Sequence, residues 1–453
     1  MKKRNLKLIS LLAFGATVLS GCRFVYHYVI PDFPYSDSGS GGSGGGDGGG
    51  TSADNGFEDT GIEDAGTYSI KIWCDERIST QIKTQVSAFS KHFGSKYTIN
   101  LAVKEVSESI AASQMTDDVT NGADIFVFPQ DQLSKLKTAG ALAAITKDLK
   151  KAVVNETETE GVNAASINGT MYAFPFTSDN GYFLFYDKRV ISDEQAKSIE
   201  GIVEAAKAAK MAINYPIFAN GFYTASYFMA TGCESNWVIN KANKFVDYKD
   251  NYNSEDGLKA ARALKYLKAQ YIGKKPLFAG SNDPSKFNRG ENGICACVTG
   301  MWDYQTAAGI LGENLGCAEM PTFTLDGKKY HISSFSGYKL IGVKPQEDAK
   351  KVSVCKRIAR YLSSETCQLA RFNLVEWGPS NINALANNNV AIHKGLSALR
   401  AQKPYSKPQV QCPASWFGSV SSLANQIAQD STDDELRGLL QDYQDNLDVL
   451  LAD

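Results

Sequence analysis

Hydrophobic and polar positions change period several times along the chain, and each change marks an element. Ile70 and Ile72 alternate with polar residues and lead into Trp73-Cys74, the period of two that turns one face of a strand inward. Ile82, Val86, Phe89 and Phe93 then recur at helical spacing, with Gly94 where a chain leaving a helix favours a left-handed residue. Ile99, Leu101 and Val103 return to alternation. Asp124-Ile125-Phe126-Val127-Phe128 follows as a continuous apolar run, which suits a strand covered on both faces. This rhythm predicts an α/β fold with a parallel sheet, its ligand-facing loops at the carboxyl ends of the strands. Further helices are predicted over 192–209, where Ser192 and Gln195 form a capping box, and over 257–271, 349–363 and 432–451. In the last, Thr432 and Glu435 form the box and Leu436, Leu439, Leu440, Tyr443 and Leu447 the buried stripe.

The first 66 residues follow neither period. Lys2, Lys3, Arg4 and Lys7 precede the apolar run Leu8–Val18, which is too short to span a bilayer and reads as an export signal. Its end, Leu19-Ser20-Gly21-Cys22, resembles the lipobox of a bacterial lipoprotein signal. That resemblance implies a signal over 1–21 and lipid on Cys22, anchoring the chain to the outer face of the cell membrane. A plain signal peptide with an incidental cysteine is the other reading. Residues 22–66 form a tether: nine of the twelve positions from Gly39 to Gly50 are glycine, and no Lys or Arg occurs between Arg23 and Lys71. Such a segment is flexible and self-repelling, with a root-mean-square reach of roughly 30 Å over its last part, 36–66. It has neither the Lys-Ser/Thr of a phosphate loop nor a second copy of itself.

Composition narrows the function. The 453 residues are 43% hydrophobic, enough for a two-lobed domain or two to three ordinary ones, and wholesale disorder is ruled out. A formal charge of −2 offers no basic field for nucleic acid, and the chain without its cationic leader is more acidic still. A catalytic set is hard to assemble. The four histidines (His27, His92, His331, His393) have no metal-ligand spacing, and the nucleophile-elbow, zinc-protease and phosphate-loop motifs are missing. No metal or cofactor is therefore expected. Besides Cys22, eight cysteines sit mostly among hydrophobic residues; an exported chain permits disulfides, but buried free thiols fit at least as well. What stands out is aromatic residues beside polar ones at strand ends and in loops: Phe128 before Asp131, Phe222-Tyr223 after Asn220-Gly221, Trp302 after Thr299-Gly300-Met301, and Trp416-Phe417. Flat rings suit the C–H faces of pyranose sugars, and Asp and Asn bind neighbouring hydroxyls. Any one of these rings can equally be a packing residue.

The chain resembles the extracellular solute-binding proteins of carbohydrate ABC transporters, most closely the maltose/maltodextrin-binding proteins. The resemblance rests on 122–131 with 140–145, on Asn168–Phe176, on Asn288–Glu291 with Thr299–Trp302, and on the segment ending in Trp416. It implies a two-lobed, type II periplasmic-binding-protein-like fold with a hinge. The first lobe would comprise 67–177 and 324–378, the second 178–323 and 379–453. It further implies a maltooligosaccharide ligand, ABC permease subunits as partners, and no chemistry on the sugar. Carried over by position, Phe128, Phe222, Trp302 and Trp416 would stack on glucose rings, Asp131 and Asp179 would accept from hydroxyls, and Asp75 and Arg77 would contact the ligand. Gln132 stands where relatives have a basic residue, Asn220 where they have a carboxylate, and Phe128 where they have a tryptophan. A binding protein for another oligosaccharide or a sensor ligand, and a surface glycoside hydrolase, are the alternatives.

Overall fold

The computed structural model describes residues 65–240, 244–409, 412–413 and 415–452, so the signal, Cys22 and nearly all of the tether lie outside the described residues. Two five-stranded sheets organise them, and their strand orders correspond. In the first, Tyr97–Glu105, Gly66–Cys74 and Ile125–Pro129 run parallel, followed by Lys339–Val343, antiparallel to both of its neighbours, and Ala173–Thr177 at the edge. In the second, Phe278–Ala279, Ala212–Asn214 and Ile294–Gly300 run parallel, followed by Tyr182–Asp187, antiparallel to both neighbours, and Leu315–Ala318.

Each sheet has its own core. Ile70, Ile72, Phe89, Phe126, Phe174 and Ile341 belong to the first. The run Tyr182-Phe183-Leu184-Phe185-Tyr186 shows why the second sheet is covered on both faces. Tyr182, Leu184 and Tyr186 pack into one cluster and Phe183 and Phe185 into another, as alternation along a strand requires.

The chain passes between the sheets at 178–181, at 337–338 and near 377–381. The crossings are laced to one another: Ser178 N donates to Gly378 O (3.0 Å) and Asn180 N to Gly337 O (3.1 Å). Gly378 is obligatory by contact, since a Cβ there would lie 2.9 Å from Asp179 Cβ and from Leu396 Cδ2. The expected boundary at 323/324 is displaced. Phe323, Tyr330, Ile332 and Phe335 all pack into the core of the second sheet, so the hairpin over 322–331 stays with that lobe and the chain leaves it only at 337–338.

The helix expected over 192–209 is also revised. Ser192 and Gln195 do exchange capping bonds (Ser192 N to Gln195 Oε1, 3.1 Å), but they close only a short turn; the helix proper is Ile199–Ala209, capped by Ser198. The box at Thr432 and Glu435 opens Asp433–Asp445 as expected.

Candidate functional site

The strand Gly66–Cys74 ends in Asp75-Glu76-Arg77, where Asp75 caps a tight turn. Asp75 Oδ1 accepts from Arg77 N (3.0 Å) and Nε (2.8 Å), and Oδ2 from Nη2 (2.9 Å). Burial pushes the Asp75 carboxyl up, but its bonds to Arg77 outweigh that and hold it below the ordinary aspartate value. The guanidinium lies 5.0 Å over the Trp377 ring, and its Nη1 reaches the second lobe, donating to Trp302 O at 2.8 Å. Lys339 Nζ sits 4.1 Å from the same ring and pairs with Glu108 (2.9 Å), both side chains being buried.

On the second lobe the strand Ile294–Gly300 delivers Thr299, Trp302 and Asp303. Trp302 is half-buried and its ring lies against Gly300, where a Cβ would come within 2.2 Å of the indole. Thr299 Oγ1 donates to Asp303 Oδ2 (2.6 Å), and Asn282 Nδ2 donates to Tyr223 OH (3.0 Å) and Thr299 Oγ1 (3.2 Å). Burial raises the Asp303 carboxyl above its ordinary range. Beside this network Phe222 stacks on Phe335 (5.1 Å, 25°) and meets Tyr182 edge-on at 5.1 Å and Phe417 at 6.0 Å. Phe222 and Phe417 both keep part of their surface exposed.

The remaining predicted residues divide. Asn220 is exposed and caps the helix Gly221–Thr231, its Oδ1 accepting from Phe222 N (3.0 Å), so its place in the sequence has a structural cause. Asp131 follows the strand Ile125–Pro129. Its Oδ2 accepts from Gln132 Nε2 (2.5 Å), its Oδ1 is buried with no protein donor, and burial raises its pKa. Asp179 is buried in the first crossing, where Oδ2 accepts from Gly378 N (2.7 Å); it ties two crossings together.

Two expectations fail. Phe128 is fully buried in the first core, 5.4 Å from Phe126 and packed on Gly342, so it is no sugar platform. Trp416 is 2% exposed, its Nε1 donating to Tyr443 OH (3.0 Å) within the second core.

Residues passed over in the sequence include Trp377, Glu108, Lys339, Asn282 and Asp303; only Asp303 adjoins a residue singled out for the site, Trp302. Phe417 was named beside Trp416 but not carried into the predicted site, and Phe335 carried no signal. A cavity of about 860 Å³ borders the crossings at Ser178, Gly181, Gly337 and Gly378 and reaches Trp237 and Leu399. None of the nine predicted ligand residues lines it. The convergence of charged and aromatic groups at the strand ends is the stronger chemical signal, because a site needs placed partners as well as volume. Among the described residues no group of three or more His, Cys, Asp or Glu is arranged to hold a metal, and no helix is long and apolar enough to cross a membrane. The eight described cysteines are free thiols.

Two sheets of one topology, laced by three crossings and bridged at their strand ends by the bond from Arg77 Nη1 to Trp302 O, define a two-lobed binding protein. The chain belongs to the family of bacterial extracellular solute-binding proteins, whose pattern matches residues 84–398. A maltotriose-binding protein of Pyrococcus abyssi (strain GE5 / Orsay) is 24% identical over 230 residues, covering 49% of this chain. The match spans 46% of that relative, so the chain aligns with about half its length. Among solved structures, one determined with acarbose has 25% identity and a TM-score of 0.71, covering 85% of this chain and 100% of that one. The maltodextrin-binding protein MalE1 from L. casei BL23, solved without ligand, has 20% identity and a TM-score of 0.68 over 85% of this chain and 98% of its own.

Proposed function

We propose that this protein is the substrate-binding component of an ABC importer, capturing maltose- or maltodextrin-type oligosaccharides by lobe closure and handing them to a membrane permease. The observation that carries the reading is Trp302. Its half-buried ring is displayed at the end of a central strand, and its backbone touches Arg77 of the opposite lobe. A ligand lying there would meet both lobes only when they close, which is the condition for binding to shift a hinge equilibrium. Phe222 and Phe417 offer further apolar faces, and Asp131, with one carboxylate oxygen lacking a donor, is set to accept from a hydroxyl. The similarity to proteins named for maltotriose and maltodextrin supports this ligand class. Dissociation in the micromolar range corresponds to about −8 kcal/mol, within reach of two or three stacks and a few charge-assisted bonds.

The lipobox-like ending at Cys22 and the tether complete the picture: a lipid-anchored, extracytoplasmic receptor held clear of the membrane. The test is to titrate the purified protein with maltose, maltotriose and maltotetraose, following tryptophan fluorescence and recovering the sugar afterwards. Saturable binding with the sugar intact is expected. Glucose release would replace the reading by a hydrolase, and no response to any α-glucan would move the ligand to another class.

A further inference from the structure

We propose that Arg77 is the closure clasp of this protein, holding the lobes together through the Trp302 carbonyl and setting how long a bound ligand stays, without reading the ligand itself. The proposal rests on the lobe-closing reading above and assigns Arg77 a positioning role within it. All three guanidinium nitrogens already have a protein acceptor: Nε and Nη2 bond the two oxygens of Asp75, and Nη1 bonds Trp302 O. The face of the group is covered as well, by Trp377 at 5.0 Å. A planar fork fixed along one edge and one face costs little further side-chain entropy when its third nitrogen finds an acceptor, which is the advantage of arginine over lysine at such a place.

The acceptor matters as much as the donor. The carbonyl belongs to the turn Met301–Asp303, so the bond is made to the backbone of the segment that presents the Trp302 ring. Bonds such as Ser178 N to Gly378 O lie within the crossings themselves. A bond between strand ends 225 residues apart in sequence breaks when the lobes separate. Arg77 therefore favours the closed form whether or not a ligand is present. Apparent affinity scales with the fraction of molecules in the competent form, so removing the clasp weakens every ligand by one common factor.

Two measurements on the full chain test this. In ligand-free solution scattering, Arg77→Ala and Arg77→Gln increase the radius of gyration, and Arg77→Lys restores the compact form only in part. Trp302→Ala keeps the carbonyl and leaves the ligand-free dimensions as in the parent. In stopped-flow dissociation, Arg77→Ala accelerates release of maltotriose and maltotetraose by about the same factor, on the order of tenfold. A loss of affinity that differs between the two sugars by more than about threefold would assign Arg77 to direct ligand contact and overturn the clasp, as would unchanged dimensions in both Arg77→Ala and Arg77→Gln. Should no maltooligosaccharide bind the parent protein, the ligand class falls, while the scattering comparison still decides the clasp.

Discussion

The two lobes share a strand order but place their aromatic residues differently. In the first, Phe126, Phe128, Phe174 and Phe176 are all fully buried in the core, and at the strand end that touches the other lobe Arg77 and Lys339 lie over the Trp377 ring, paired with Asp75 and Glu108. In the second, Phe222, Trp302 and Phe417 keep exposed surface, and polar groups such as Asn282, Thr299 and Asp303 form a bonded network beside them. Around the Arg77–Trp302 bond, the first lobe thus supplies paired charges and the second partly exposed rings. A polyhydroxylated ligand with apolar faces needs both kinds of partner, and only apposition of the two lobes supplies them together.

The sharpest way to break this contrast is to remove a ring from each setting. Phe128→Ala and Trp416→Ala should each cost about 3–5 kcal/mol of unfolding free energy, because both empty a packed core, while the folded fraction binds sugar as before. Urea unfolding beside a binding titration separates the two effects; a variant that loses affinity but keeps its midpoint would return that ring to the site. Trp302→Ala should do the reverse, weakening oligosaccharide binding at least tenfold, about 1.4 kcal/mol, with stability little changed. Asn220→Ala removes a helix cap and should lower stability by about 1 kcal/mol, as a thermal or urea midpoint would report.

The smallest effect tests Asp131. Burial raises its folded-state pKa above the unfolded value, so its charge opposes folding at neutral pH. The penalty is full above the raised value and vanishes below about pH 4, where both states are protonated. Asp131→Asn should therefore stabilise the ligand-free protein at pH 7, lose that advantage on acidification, and bind sugar less well. An equal gain at pH 7 and pH 3.5 would remove the charge from the explanation.

How much of this was legible follows from where each signal resides. The alternation at Ile70 and Ile72, the helical stripe ending at Gly94 (φ +61°) and the Thr432–Glu435 box are local, and each appears where the pattern puts it. The fates of Phe128 and Trp416 are not local. Phe126 and Phe128 share one side of a strand buried on both faces, so alternation cannot say whether its last residue escapes the core. Trp416 and Phe417 are adjacent on a helix and point about 100° apart; which one faces the core depends on Tyr443, contributed by another helix. Asn220 was carried into the site by position from the resemblance, and its cap on the following helix is a second, local reason for an asparagine there. Arg77 was singled out as a ligand contact at the strand end, but its partner across the lobes, a backbone carbonyl, has no signature in any sequence.

The thiols have a practical consequence. Cys74, Cys233, Cys295 and Cys355 are buried, and burial pushes each up to about 12, so at neutral pH they hold their protons and resist alkylating reagents. An engineered surface cysteine would accept a maleimide dye well ahead of those four. Fluorophores placed on either side of the hinge would then turn any ligand-driven change in lobe spacing into an optical signal.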